Sequence, residues 1–281
     1  MIKKELQKER NTNDLYILTE PLDTTNKIVI DIEEVADYCF CPQYYLFKHN
    51  NTDTINMKTL YDKAIHRTFY SYLISFQEGK LKSTLGFLKY QWGKEWIKSK
   101  SKSDLLVTPS SLKRDSYDEK RRLGIKAIFN FDEIMSSEKQ IPIVINHKYE
   151  IEILPNIILR GTWEYIREVT LETGGKVIQI VKILSESNRF YTSHARQNDI
   201  TLVADAYAFM KLFNPTYFQV VNIDVSNKKS FISTYTEKDF DKLKQTIQSV
   251  VTCIQNDINC WTPDIKCYNC EFRNDCNRLF Q

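Results

Sequence analysis

The sequence predicts an α/β fold: a mixed central sheet flanked by helices and preceded by a helical subregion. Three observations carry that prediction. Between 57 and 137, apolar residues recur at helical spacing in three successive stretches. From 141 to 235 the period shortens to strand-like alternation, interrupted by one helix at 199–213. At Thr236 helical spacing returns and runs into a cysteine-rich tail. Hairpins separated and followed by helices fit a layered α/β core.

Each element has a local reason. Residues 1–30 read as a charged leader ending in a short strand, Lys27-Ile-Val-Ile30. Asp31 then caps a helix with acids in its first turn, which ends in Cys39-Phe-Cys41-Pro42. Proline is unsuited to a helix interior, so Cys41 falls at a helix end or turn. After a polar gap at 50–56, helices follow at 57–79, 81–98 and 117–137. The first carries His66, and a Ser/Lys/Pro-rich loop at 99–111 separates the last two. Strands follow at 141–153 and 157–166, and Gly174-Gly175 turns the chain into a third at 176–184. A second hairpin joins 216–225 to 229–235 around Asn227. Thr236, with Asp239 in the capping-box position, opens a helix running to about 257. The predicted organisation is one domain over 31–281, with a helical subregion (57–137), a sheet core (141–235) and a C-terminal helix with its cysteine cluster (236–281).

Composition narrows the class. A chain of 281 residues can bury a full core, and 42% hydrophobic with 27% charged residues is ordinary for a globular protein. No apolar run reaches the length of a membrane span, and Met1 to Arg10 is charged throughout. The expectation is therefore a cytoplasmic protein with no signal peptide and no membrane partner. In a reducing compartment, 7 cysteines read as metal ligands and core residues rather than disulfides.

The thiols carry the most specific signal. Cys267, Cys270 and Cys276 form Cys-x2-Cys-x5-Cys, and thiolates suit zinc or an iron–sulfur centre. Either needs a fourth ligand, and Cys41 or Cys39 far upstream can provide it. Such a set would staple the two ends of the chain together. Spacing alone does not separate zinc from iron–sulfur. Cys253 and Cys260, on or just after the final helix, could also be ligands, but read first as core packing.

The net charge of +3 is too small to imply nucleic acid, but its distribution is uneven. Lys80, Lys82, Lys89, Lys94, Lys98, Lys100 and Lys102 surround Trp92 and Trp96, and Lys113, Arg114, Lys120, Arg121, Arg122 and Lys126 follow. Interleaved cations and aromatics can hold a phosphate backbone and stack bases. The same pattern also describes a solvated helix face whose tryptophans pack inward.

Cys41-Pro42 followed by aromatics, together with the C-terminal Cys-x2-Cys-x5-Cys, resembles the iron–sulfur branch of the RecB-like nucleases. That branch includes AddB and the CRISPR-associated RecB-like exonucleases, within the PD-(D/E)XK superfamily. The resemblance runs from about 31 to 280. It implies a PD-(D/E)XK (restriction-endonuclease-like) sheet and a [4Fe-4S] cluster on Cys41, Cys267, Cys270 and Cys276, with zinc as the alternative. It also implies a Mg²⁺ or Mn²⁺ site. His66 matches the family's helical His, Gly161-Thr-Trp-Glu164 matches Gly-x-x-Asp with Glu for Asp, and Lys182 matches the lysine of Glu-x-Lys. Two positions before Lys182, however, stands Ile180, which cannot ligate a metal. Gln179 alternates to the opposite face of the strand. The helical Gln-x-x-x-Tyr motif is missing, with Asp199 and Val203 aligned to it. The site thus reads as degenerate, with Glu186 or Asp199 as candidate substitute acids. The expected function is DNA binding, with a single-stranded portion of the DNA and a protein partner in a larger DNA-processing or transcription assembly. The grip is expected from Lys89, Trp92, Lys94, Lys98, Arg114, Arg121 and Arg122. An active Mg²⁺- or Mn²⁺-dependent DNA exonuclease is the alternative, and a zinc-stapled interaction module the third.

Overall fold

The computed structural model describes residues 22, 24–50, 57–80, 84–106, 114–138, 142–172, 174–185 and 199–260, and 267, 270, 272, 273 and 276. The side chains of 57, 58, 84, 100–106, 114–116, 137 and 138 lie outside that description. Among the described residues the order is β1 (Ile28–Asp31), α1 (Ile32–Phe40), α2 (Pro42–Asn50), α3 (Met57–Gln77), α4 (Thr84–Leu106), α5 (Arg114–Glu138), β2 (Pro142–Leu154), β3 (Ile157–Thr170), β4 (Lys176–Leu184), α6 (Ile200–Phe213), β5 (Phe218–Asp224), β6 (Lys229–Ser233) and α7 (Glu237–Gln255).

The six strands form one mixed sheet in the order β1-β3-β4-β5-β6, with β2 paired to β3. β1 runs parallel to β3 and β4 parallel to β5, while the remaining pairs are antiparallel. Helices cover both faces. One core joins α1, α6 and α7 to the sheet through residues such as Val35, Leu202, Ile247 and Ile180. The other joins α3, α4 and α5 through Phe69, Trp92, Phe131 and Val181. Burial on both faces explains why β4 reads Lys-Val-Ile-Gln-Ile-Val-Lys-Ile-Leu, nearly continuous in apolar residues.

Local signals held at the caps. Asp31 and Glu34 form the capping box of α1, and Thr236 and Asp239 that of α7. Cys41 is the C-cap of α1 in extended conformation, and Pro42 opens α2 at the position where its missing N–H costs least. The sequence pattern gave no sign of α2, whose nine residues show little segregation of apolar from polar side chains. α4 continues to Leu106, through part of the expected loop at 99–111, and β3 runs four residues beyond the expected 166. The added residues of β3 are held by pairing with β2 and β4, past the strand's own local signal. The leader over 1–21 lies outside the described residues. Among the described residues, no helix is long and apolar enough to cross a membrane.

Candidate functional site

The sheet forks at its centre. β2 runs along one edge of β3, from Pro142 to Leu154. The other edge is shared: β1 takes Ile157–Arg160 and β4 takes Tyr165–Thr170. Residues 161–164 lie between the two ladders. Those four positions are Gly161-Thr-Trp-Glu164.

Three of them have a physical task. Gly161 faces Tyr149 across the β2–β3 pair, and a Cβ there would lie 2.2 Å from the Tyr149 hydroxyl. Its bare backbone lets the phenol cross β3 and donate to Asp205 Oδ1 on α6, at 2.8 Å. The Trp163 indole donates to the Asp205 carbonyl at 3.1 Å. Glu164 Oε2 accepts the Ile183 amide of β4 at 2.7 Å, just beyond the last laddered pair, so a carboxylate continues where strand pairing stops. His66 on α3 brings Nδ1 to 3.9 Å from the same oxygen. Tyr70, one turn on, is raised well above its usual pKa by burial and then by the Glu164 charge.

Lys182 enters from the α6 side. Its ammonium donates to Thr201 Oγ1 at 2.6 Å and lies 3.9 Å from Glu33 at the start of α1. Thr201 in turn donates from both its amide and its hydroxyl to Asp199 Oδ1, at 3.0 and 2.8 Å. Burial works against the Lys182 charge, but Glu33, Asp205, Asp199 and Glu164 outweigh it and raise the pKa. Asp205 shows the opposite balance. Burial pushes its carboxyl up to about 7, although Lys182 and the Tyr149 hydrogen bond pull the other way. A cleft of about 450 Å³ opens here, lined by Asp31, Glu33, Tyr149, Lys182, Thr201 and Asp205 among others.

The structure brings His66 of α3 to 3.9 Å from Glu164. Lys182 lines the cleft on the α6 side, which neither of those two lines, and feels Glu164 through its charge. Ile180 is buried against Ile166 and Val220 and offers no ligand. Gln179 is spent in a cross-strand chain, accepting from Arg167 and donating to Gln219. The expected alignment on α6 needs correction. Asp199 is the N-cap and Val203 packs in the core, so the pair facing the cleft is Thr201 and Asp205. Glu186 lies outside the described residues. Asp205 had one sequence signal, an acid inside an otherwise apolar helical stretch, Leu-Val-Ala-Asp-Ala-Tyr-Ala-Phe.

The thiols sit at the opposite end of α1. Phe272, between Cys270 and Cys276, packs its ring on Tyr44 and Phe47 of α2, at 5.4 and 5.5 Å. Cys41 immediately precedes that helix. The Tyr38 hydroxyl donates to the Ile258 carbonyl, and Gln43 to that of Asn259 at 3.4 Å. Burial, with a Cys253 hydrogen bond next, pushes Tyr38 up to about 12. The segments carrying Cys41 and Cys270–Cys276 therefore pack together, and soft thiol donors suit iron–sulfur or zinc. Among the described residues, no group of three or more His, Cys, Asp or Glu is arranged to hold a metal. Cys253 packs against the core as expected, whereas Cys260 is exposed.

On the basic helices the tryptophans take the inward option. Trp92 and Trp96 are buried, stacked on each other at 5.1 Å, and Trp96 stacks on Tyr117. Trp92 is therefore a core residue and presents no surface ring to a base. Lys98 pairs with Glu95 at 3.1 Å and Lys89 lies over the Phe129 ring. The Arg122 Nε donates to the Asp118 carbonyl at 3.4 Å. Lys94 and Arg121 are exposed and make no ion pair among the described residues. The side chains of Arg114, Lys100 and Lys102, and all of Lys82 and Lys113, lie outside the description.

Fold and fork define a three-layer α/β protein with a mixed six-stranded sheet. No protein-family model and no curated protein matches the chain. Among solved structures, the crystal structure of SSO0001 aligns over 96% of this chain and 91% of that one, at 10% identity and a TM-score of 0.36.

Proposed function

We propose that this chain is an intracellular DNA-binding protein built on a PD-(D/E)XK, RecB-like nuclease fold, with a weak or inactive nuclease site. The observation that carries the proposal is the fork, where His66 meets Glu164 and Lys182 stands within reach of the Glu164 charge, but a buried isoleucine stands in the place of the second acid. Mg²⁺ or Mn²⁺, where such a site is intact, activates water for attack on a phosphodiester. Here Glu164 and His66 would hold it. The Glu164 carboxylate is already engaged by the Ile183 amide, and Lys182 by Thr201 and surrounding acids. Supporting the DNA reading are the exposed cations Lys94, Arg121 and Arg122 on α4 and α5, with Lys89 and Lys98 beside them. Cys41, Cys267, Cys270 and Cys276 would hold a [4Fe-4S] cluster, or zinc, as a covalent staple between α2 and the tail, and a protein partner in a larger DNA-processing assembly completes the proposal.

One observation favours the enzyme reading. Asp205 lines the cleft beside Lys182 and supplies a carboxylate from α6 that β4 lacks. The test is a nuclease assay with Mn²⁺ or Mg²⁺ on single- and double-stranded DNA, run beside gel-shift lanes in EDTA. Binding without degradation is the expected result. Degradation abolished by both Glu164→Ala and Asp205→Asn would establish an exonuclease with a relocated acid.

A further inference from the structure

Gly93 stands in the middle of α4, where glycine costs about 0.5–1 kcal/mol relative to alanine. Gly124 on α5 has an internal reason: a Cβ there would lie 2.1 Å from the Trp92 ring. Gly93 has none among the described residues, where a Cβ would meet nothing within 4 Å. The helix therefore gives up stability beside space that no described residue fills.

That space is the floor of a cleft of about 630 Å³ in the α4–α5 seam, a volume within the usual range for small-ligand pockets. Ile97 and Ile125 stand on its two sides, 66% and 38% exposed. Trp92 and Trp96 form its inner wall, each only 3% exposed, and neither indole N–H has a hydrogen-bond partner among the described residues. A buried donor left unpaired costs about 1–3 kcal/mol, a cost that an acceptor placed against either indole would offset. Lys89 and Arg121 add positive charge at the rim, and Asp118 one acid.

We propose that this cleft receives one unpaired nucleobase of a single DNA strand. The ring lies between Ile97 and Ile125 over the bare Gly93 backbone, and its acceptor edge faces the indoles. The flanking phosphates meet Lys89 and Arg121, and Asp118 faces an exocyclic amine. An apolar peptide would suit the isoleucines, and its carbonyls the indoles, but it brings no anion to the Lys89 and Arg121 rim. A base brings acceptors and phosphates together. The inference rests on the DNA reading above and adds a base-dependent site to it.

The test compares a single-stranded oligonucleotide with an abasic oligonucleotide of equal length, by fluorescence anisotropy. The native chain is expected to bind the base-bearing strand about ten-fold more tightly, about 1.4 kcal/mol, which burial of an apolar ring face between two isoleucines can supply. Gly93→Ala, which fills the floor while favouring helix, should abolish that difference, keep abasic binding, and melt no lower than the native chain. K94A/R122A, outside the cleft, should weaken both strands alike. Equal affinity of the native chain for the two strands, the result for a cleft that takes a peptide, would overturn the base site while leaving DNA binding intact. So would a retained preference in Gly93→Ala, or a lower melting temperature revealing an internal role for Gly93. Binding of neither strand would remove the DNA reading and the base site together.

Discussion

Asp205 is the residue whose chemistry depends most on its surroundings. Free in an unfolded chain, an aspartate titrates at about 3.9. In the fold, burial on α6 lifts it to about 7 despite the Tyr149 hydroxyl and the Lys182 ammonium. The folded state therefore holds a proton that the unfolded chain releases between about 4 and 7. The sign is a loss: this contribution to stability declines as pH rises through that window and is flat above it. Asp205→Asn should flatten the corresponding slope of melting temperature against pH, and an unchanged slope would assign it elsewhere. Neighbouring Gly161 was legible as a motif glycine, but its reason, the path of the Tyr149 phenol, was not. Sequence spacing does not reveal which ring crosses a strand.

At the scale of elements, α2 and the tail depend on each other. α2 has no fully buried residue of its own, yet Tyr44 and Phe47 close over Phe272, which is buried. A helix of nine residues is marginal in isolation, so this contact supplies much of its order. Removing a buried phenylalanine ring costs about 3–5 kcal/mol. Phe272→Ala should therefore loosen the tail and α2 together, seen as at least ten-fold faster tryptic cleavage after Lys266 and Arg273, with the sheet's amide-exchange protection unchanged. Slower loss, or loss spread across the sheet, would contradict local docking. The α4–α5 hairpin shows the reverse relation between sequence and structure. Its basic and aromatic alternation was plain in the sequence, but burial took the tryptophans and left exposed Tyr90, Ile97, Leu123, Ile125 and Phe129 beside the cations.

For the whole molecule, the sheet links distant parts of the chain. β1 pairs with β3 across more than a hundred residues, and the tail returns to the helix that follows Cys41. A metal staple at that junction would tie the two ends around the sheet. Anaerobically purified protein is expected to be brown, with iron and acid-labile sulfide in equal amounts. A colourless preparation carrying stoichiometric zinc would select the other metal, and one carrying neither would remove the staple. Chelation should lower the melting temperature in either metal-bound case, because the linkage acts on the folded state alone.

The sequence alone was enough for the α/β class, the order of nearly all elements, the Asp31 N-cap and the Thr236–Asp239 capping box, and it singled out Glu164, His66 and Lys182 as candidates. These follow from local periodicity, cap chemistry and motif spacing, which act over a few residues. The tertiary structure alone decided that β1 and β4 share one edge of β3, leaving Glu164 to bind the next amide of β4. It also decided that Asp205 rather than Asp199 faces the cleft, that α2 exists, and that Trp92 is core. Those outcomes depend on which surfaces meet across long stretches of chain, and on the burial that meeting imposes. Periodicity names the face of an element that turns inward; only the packed fold supplies what lies against it.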